Sequence, residues 1–268
     1  MRSLLYILTF LISFSSFGQK IKELSQSGYD KLITKDYYNA IVDFNKALKI
    51  DPNVANLYFR RGTARIHLKE YNAAISDFNI AIELDPNKAL YYANRGFPKK
   101  YLKDPYGAIS DYTRAIELDP NEAAYYYNRG SIKSELNDED GAISDYTRAI
   151  ELDPNDGDYY SNRGISKENL GDLNGAISDF TRAIELDPND VDYYYNRGSI
   201  KSELNDYYGA ISDYTRAIEL DPNKALYYSN RGVLKENLGD LNGACVDWRK
   251  AAALGDKITA KWVAEDCN

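Results

Sequence analysis

Apolar residues recur at helical spacing in two consecutive segments between residues 157 and 190. In the first segment, the apolar and small positions are Tyr160, Gly164, Ile165 and Leu170. Gly171 can end this predicted helix, because glycine readily adopts the left-handed conformation that follows many helices. Asp172 can then cap a second helix. The apolar positions of that helix are Ala176, Ile177, Phe180, Ala183 and Ile184. Pro188 prevents its continuation, so the segment predicts two antiparallel helices.

This pattern returns every 34 residues. An Asp-Pro-Asn tripeptide recurs with its proline at Pro52, Pro86, Pro120, Pro154, Pro188 and Pro222. A glycine of the first helix recurs at Gly28, Gly62, Gly96, Gly130, Gly164, Gly198 and Gly232. Two alanines and an aromatic residue of the second helix keep the same step, and seven units fit without insertion or deletion. Because one helix pair leaves apolar surface uncovered, neighbouring pairs are expected to stack.

Small residues are expected where the two helices of a pair approach each other. In residues 157–190, Gly164 is expected to face Ala176, with the aromatic residue filling the space beyond them. A leucine at Gly164 would then overpack the contact by about 1 to 3 kcal/mol.

Together, the period, glycine, alanines, aromatic residue and proline resemble the tetratricopeptide repeat (TPR) family from about Ile21 to Lys257. The resemblance implies an all-α fold: a right-handed αα superhelical solenoid of seven TPR helix pairs over residues 19–256, with a C-terminal capping helix at residues 257–268. Pro98 lies inside the first helix predicted for the third unit, where proline costs about 3 kcal/mol. It either redirects the groove or is tolerated as one weak unit.

One departure from the family is systematic. Six units have arginine directly before the glycine, where the family often has a large apolar residue: Arg61, Arg95, Arg129, Arg163, Arg197 and Arg231. Aspartates of the second helices keep the same period: Asp43, Asp77, Asp111, Asp145, Asp179, Asp213 and Asp247. A structural ion pair inside the array is the favoured interpretation. The first unit is the exception, with Ser27 before its glycine.

The two ends of the array have different patterns. Lys22, Glu23 and Gln26 belong to a polar set, which also includes Ser25 and Ser27, that is suited to an outward-facing N-terminal cap. At the other end, Ile258, Trp262 and Val263 are expected to form the apolar stripe of the C-terminal cap.

The first 18 residues are typical of a cleaved signal peptide. Arg2 supplies a positive start, Leu4 to Phe14 is apolar, and small residues precede Gln19. The apolar stretch is too short to span a membrane as a helix. Cleavage would change the net charge from −8 to −9 and leave no integral membrane span. We therefore expect a periplasmic or secreted protein, and the negative charge argues against nucleic acid as a partner.

No constellation for catalysis or metal binding is found in the sequence. The chain has one histidine, and the phosphate-loop, nucleophile-elbow and zinc-protease motifs are absent. Acidic turns such as residues 153–158 lack the register of a calcium loop and are expected to be caps and solvated turns. The sequence therefore predicts neither enzyme activity nor a cofactor. Cys245 and Cys267 could form a disulfide, or they could be separate thiols.

In TPR proteins the first helices line a concave groove, and the resemblance implies the same here. Residues two before each glycine are the candidate groove contacts: Arg60, Asn94, Asn128, Asn162, Asn196 and Asn230. Aromatic candidates three before a glycine are Phe59, Tyr127 and Tyr195. An asparagine row can donate to and accept from a peptide backbone without reading its sequence. Alternatively the amides connect neighbouring repeats, and duplication of a 68-residue block explains their recurrence.

These features predict an exported scaffold that holds an extended peptide or a partner helix of another protein in its groove. The alternative from another class is a glycan-binding or cell-envelope structural protein. Exposed tyrosines could stack on sugars, and Tyr127 and Tyr195 are the residues that would do so.

Overall fold

The computed structural model describes the backbone of residues 2–267 and the side chains of residues 17–267, and every regular element in that range is an α-helix. The helices are α1 (Arg2–Ile33), α2 (Tyr37–Ile50), α3 (Ala55–His67), α4 (Tyr71–Leu84), α5 (Ala89–Tyr101), α6 (Pro105–Leu118), α7 (Ala123–Glu135), α8 (Glu139–Leu152), α9 (Gly157–Asn169), α10 (Leu173–Leu186), α11 (Val191–Glu203), α12 (Tyr207–Leu220), α13 (Ala225–Asn237), α14 (Leu241–Ala253) and α15 (Lys257–Asp266).

The helices pack as consecutive pairs within two compact units, residues 1–132 and residues 133–268. In the first unit α1 packs on α2, α3 on α4 and α5 on α6, and α2 and α4 also contact the next first helix. In the second unit the pairs are α9 with α10, α11 with α12 and α13 with α14, and α15 packs on α14. The predicted all-α repeat of helix pairs is confirmed.

The turn between the two helices of a pair is the same whether or not it contains glycine. Gly171 has a φ of +81°, as its position predicts. At the equivalent positions of two other repeats, Lys69 and Asn205 also have positive φ angles, of 60° and 61°. The next residue caps the second helix, since the Asp172 carboxylate accepts a hydrogen bond from the backbone N–H of Gly175 at 3.0 Å. Asp206 caps α12 in the same way after the turn at Asn205, at 3.0 Å, whereas Glu70 after Lys69 makes no capping hydrogen bond.

The glycine of the first helix lies against the aromatic ring of the second. A Cβ placed on Gly164 would lie 3.2 Å from the Phe180 ring and 3.4 Å from the Cβ of Asp179. Ala176 is fully buried, but the atoms nearest to that Cβ belong to Phe180 and Asp179. A large side chain at Gly164 would therefore overpack the ring.

Pro98 does not end its helix. Its side chain is almost completely buried inside α5, and the backbone N–H of Leu102 donates to the Pro98 carbonyl at 3.0 Å. Proline has no N–H, so the carbonyl of Asn94, one turn earlier, lacks the donor that the other first helices provide.

Both ends of the array differ in detail from the expectation. Ser27 is half-buried and donates to the Asp43 carboxylate at 2.7 Å, so it does not belong to the outward-facing set. At the C-terminus Ile258 is 61% exposed while Thr259 is fully buried. The inward side of α15 therefore begins one residue later than the expected stripe.

The C-terminal cap has an apolar core of its own. Trp262 and Val263 pack against Ala244, Cys245, Trp248 and Cys267. Cys245 and Cys267 are joined by a disulfide with their Cα atoms 5.5 Å apart. Such a bridge fastens α15 to α14.

The predicted signal peptide lies mainly outside the residues whose side chains the structure describes. Within the described part of the chain, no helix has both the length and the apolar character needed to cross a bilayer.

Candidate functional site

The aspartate of each second helix is the centre of a buried ionic cluster. Asp213 is 3% exposed and accepts from Arg197 Nε at 3.0 Å and Nη2 at 2.6 Å. The same two-point contact is found in the pairs Arg61–Asp77, Arg95–Asp111, Arg163–Asp179 and Arg231–Asp247. Charge-assisted contacts of this geometry are strong and directional. The predicted structural ion pairs are confirmed at these positions.

A second cation, which the sequence analysis did not identify, completes each cluster. Lys201 lies one helical turn after Arg197 and contacts Asp213 at 2.7 Å. This cation keeps the 34-residue step, as Lys31, Arg65, Lys99, Lys133, Lys167, Lys201 and Lys235. Each of these residues contacts the aspartate on the second helix of its own helix pair. The period was a sufficient signal for finding them.

The arginine also connects each helix pair to the preceding one. Arg197 Nη1 donates to Thr181 Oγ1, on the preceding second helix, at 3.0 Å. The equivalent acceptors for the other arginines are Asn45, Asn79, Thr113, Thr147 and Thr215. One guanidinium therefore fixes three helices, which holds the first helices in register.

The first cluster uses Ser27 in place of arginine and still binds its carboxylate tightly. Burial raises the pKa of Asp43, but hydrogen bonds from Lys31, Ser27 and Lys46 outweigh that effect and hold the pKa below its usual value. A group whose pKa is lowered by folding stabilises the protein above its unfolded pKa. This contribution is lost as the pH falls through the folded pKa.

Tyrosines on the first helices form hydrogen bonds with the loops that connect successive repeats. The Tyr194 ring is 9% exposed, and its hydroxyl donates to the Pro188 carbonyl at 3.3 Å. The Arg197 guanidinium lies over the same ring, 5.9 Å from its centre. Most tyrosines of this type are therefore structural.

The asparagine row is half-buried along the first helices and is anchored to them. Asn94 Nδ2 donates to the Leu90 carbonyl at 2.8 Å, and Asn128 Nδ2 donates to the Ala124 carbonyl at 2.6 Å. Because a carbonyl can only accept, the amide nitrogen must face the helix. The Oδ1 atoms of Asn94 and Asn128 therefore face away from those carbonyls as acceptors.

Asn162, Asn196, Asn230 and Arg60 occupy the same position on their own first helices. Asn162 Nδ2 donates to the Asp158 carbonyl at 2.9 Å, as its equivalents do. Asn196 and Asn230 are half-buried at the same register. Arg60 places its guanidinium 4.4 Å from the centre of the Tyr29 ring.

The aromatic candidates pack between helices. Phe59 lies 5.1 Å from the Tyr91 ring, and Tyr195 lies 5.5 Å from the Tyr227 ring, measured between ring centres. Tyr127 is half-buried as well. Phe59 and Tyr195 fill the junctions between their own first helices and the next, so only part of each ring remains open to a ligand.

One apolar cleft lies within the first unit. It has a volume of about 480 Å³ and an apolar lining of Ile66, Leu90, Ala93, Phe97, Tyr112 and Tyr125. Asn94, Asn128 and Glu122 contribute polar atoms to the same cleft. The predicted row of amides therefore borders an apolar hollow.

The acidic turn at residues 153–158 acts as a pair of caps. Asp153 accepts from the N–H of Asn155 at 3.2 Å, and Asp156 accepts from the N–H of Asp158 at 2.9 Å. Among the described residues, no group of histidine, cysteine or acidic side chains is arranged to hold a metal ion.

Four family models for the tetratricopeptide repeat match the chain, and together they cover residues 31–88 and 123–224. The chain belongs to the TPR family, a class of protein-interaction scaffolds, and none of the matching models describes a catalytic family. No curated protein sequence matches it.

Solved TPR structures resemble the chain over most of its length. Part of a TPR protein from Cytophaga hutchinsonii has a TM-score of 0.74 at 21% identity, covering 88% of this chain and 98% of that one. A TPR protein from Parabacteroides merdae has a TM-score of 0.66 at 19% identity, covering 93% and 100%. YrrB, described as a TPR protein with an unusual peptide-binding site, has a TM-score of 0.61 at 24% identity, covering 69% and 95%.

Proposed function

We propose that this protein is an exported scaffold that binds an extended peptide segment of another protein along its first helices. The observation that carries the proposal is the half-buried asparagine row, whose amide nitrogens are fixed by helix carbonyls at Asn94, Asn128 and Asn162. Fixed amides bind without first losing rotamer freedom, which reduces the entropic cost of association.

The chemistry suits a peptide backbone. An extended chain presents N–H groups at regular intervals, and the Oδ1 atoms of Asn94 and Asn128, on successive repeats, can accept from two of them. Within each compact unit the ionic clusters keep the first helices in register, so neighbouring acceptors of one unit are held at the repeat spacing. The description of YrrB as a TPR protein with a peptide-binding site is consistent with this use of the fold.

Export is supported by the first 18 residues and by the cysteine pair. Disulfides persist in oxidising compartments and are rare in the cytosol, and Cys245 and Cys267 are the only cysteines. We therefore place the mature protein, beginning at Gln19, in the periplasm or outside the cell.

Replacing Asn94, Asn128 and Asn162 together with alanine should weaken binding of the native partner. Each lost hydrogen bond costs about 1 kcal/mol, so we expect a loss of roughly 100-fold in affinity. The partner would be captured from the native envelope with the wild-type protein and then titrated against both proteins by calorimetry.

A matched control uses three exposed asparagines of second helices. Replacing Asn72, Asn174 and Asn242 with alanine makes the same chemical change away from the row. Circular dichroism should give equal helicity for the two triple variants. Equal affinities for the partner would contradict the role of the row.

The alternative function, glycan binding, is favoured by one observation. Tyr38, Tyr106 and Tyr208 are 72%, 74% and 76% exposed, so their faces are open to sugars. Tyr195, by contrast, is packed against Tyr214 and Tyr227. Specific binding on a glycan array that is lost when these three exposed tyrosines are replaced with alanine would favour the alternative.

A further inference from the structure

The cleft of the first unit arises from an alternation between successive repeats. Phe59 and Tyr127 are aromatic at the position three before the glycine, whereas the intervening repeat has Ala93. At the position just after the glycine the order is reversed, since Phe97 lies between Thr63 and Ser131. The third repeat therefore has its large side chain one helical turn later than its neighbours.

The resulting cleft is lined by α5, together with Thr63 and His67 of α3 and Tyr125 and Asn128 of α7. At the junction before it, the Phe59 ring packs on Tyr91 with ring centres 5.1 Å apart and fills the space. At the next junction Tyr125 takes the place of Tyr91, but Ala93 provides no ring to pack on it. Both Ala93 and Tyr125 line the cleft.

The polar residues that line the cleft beside its two tyrosines are Thr63, His67, Asn94, Glu122 and Asn128, and each of them can accept a hydrogen bond. Asn94 and Asn128 use an amide N–H on their own helices and present Oδ1. Glu122 adds an exposed carboxylate, and no lysine or arginine lines the cleft.

Two cations of α5, Arg95 and Lys99, are engaged by a buried carboxylate. Lys99 contacts Asp111 at 2.7 Å, and Arg95 binds the same carboxylate. With a net charge of −8, the chain as a whole also attracts positively charged segments. Charge and hydrogen bonding thus favour a ligand that is rich in donors and carries positive charge.

We propose that this cleft binds an extended peptide segment in which a large apolar side chain is flanked by lysine or arginine. The apolar side chain fills the hollow over Ala93, the peptide N–H groups donate to Asn94 and Asn128, and a basic side chain pairs with Glu122. This assignment rests on the proposed function and specifies which peptide the groove selects.

Short fluorescent peptides test the selectivity with the mature full chain. One peptide has a central leucine flanked by two lysines in a Gly-Ser context, a second has serine for the leucine, and a third has glutamate for both lysines. We expect the leucine-lysine peptide to bind at least about tenfold more tightly than either of the others in fluorescence anisotropy. Its affinity should fall as salt is raised.

Filling the hollow should remove the preference for leucine. The double variant Ala93→Tyr with Phe97→Ser gives the third repeat the residue pair of the fourth, Tyr127 and Ser131, which that repeat already accommodates. We expect a loss of at least about tenfold in affinity for the leucine-lysine peptide. The matched control, Ser161→Tyr with Ile165→Ser, makes the same kind of exchange in the second compact unit, residues 133–268. It should leave the affinity for the leucine-lysine peptide unchanged.

Reversing the charge provides a second test that does not alter the apolar lining. Glu122→Lys should abolish the discrimination between the lysine and glutamate peptides, whereas Glu83→Lys, at an exposed position outside the cleft, should preserve it. Both residues are exposed, so the fold is expected to be retained in each variant.

The outcomes separate this assignment from the proposed function. Equal binding of the three peptides, or unchanged binding after the hollow is filled, would overturn the cleft assignment. If none of the peptides binds but the native partner still depends on the asparagine row, the assignment fails and the proposed function stands. If replacing the asparagine row also leaves the affinity for the native partner unchanged, the cleft assignment and the proposed function both fail.

Discussion

Replacing Asp213 with asparagine is expected to lower the free energy of unfolding by about 3 to 5 kcal/mol. Asp213 is 3% exposed and binds both Arg197 and Lys201. Its loss leaves two cations close together with no anion between them. The effect should extend beyond one helix pair, because Arg197 also holds Thr181 of the preceding pair.

Urea unfolding followed by circular dichroism measures this change. The control is Glu219→Gln, which removes the carboxylate of an exposed ion pair with Arg216. That pair is open to water, so its loss should cause no measurable change. Equal unfolding curves for Asp213→Asn and the wild type would contradict a stabilising role for the clusters.

Replacing Cys245 and Cys267 together with alanine is expected to destabilise the C-terminal cap by about 3 kcal/mol on the chain-entropy account of disulfides. The bridge closes a loop with a sequence separation of 22 residues. The cap has a small core, in which the ring centres of Trp248 and Trp262 are 5.3 Å apart.

The two tryptophans allow the cap to be observed separately, because they are the only ones in the chain. Their fluorescence should report unfolding of the variant at lower urea than circular dichroism, which reports all helices. In the wild type under oxidising conditions the two transitions should lie closer together, and a reducing agent should separate them. Identical fluorescence transitions in variant and wild type would show that the bridge contributes nothing to the cap.

The helix pairs could be predicted from the sequence because backbone rules determine them. Gly171 and Asp172 end one helix and begin the next, and Pro188 ends the second, whatever the side chains around them do. The pairing of Arg197 with Asp213 was also predictable, because both residues keep the 34-residue period and lie at roughly the same level on the two predicted helices of a pair.

Side-chain directions could not be predicted in the same way. Spacing predicted small residues at the approach of the two helices, but it did not show that the Phe180 ring lies directly against Gly164. Spacing likewise placed Asn128 on the groove side without showing that its amide nitrogen donates to its own helix. The cleft was missed because it depends on how the rings of two repeats meet.

The central claim is that partners bind along the first helices and not on the exposed starts of the second helices. Site-specific photo-crosslinking in the native envelope tests it most directly, with p-benzoylphenylalanine placed either at Phe97 in the cleft or at Tyr106 on α6. The account predicts a discrete crosslinked protein from the Phe97 position and none from the Tyr106 position. A crosslinked partner from Tyr106 alone, or the same partner in equal yield from both, would contradict it.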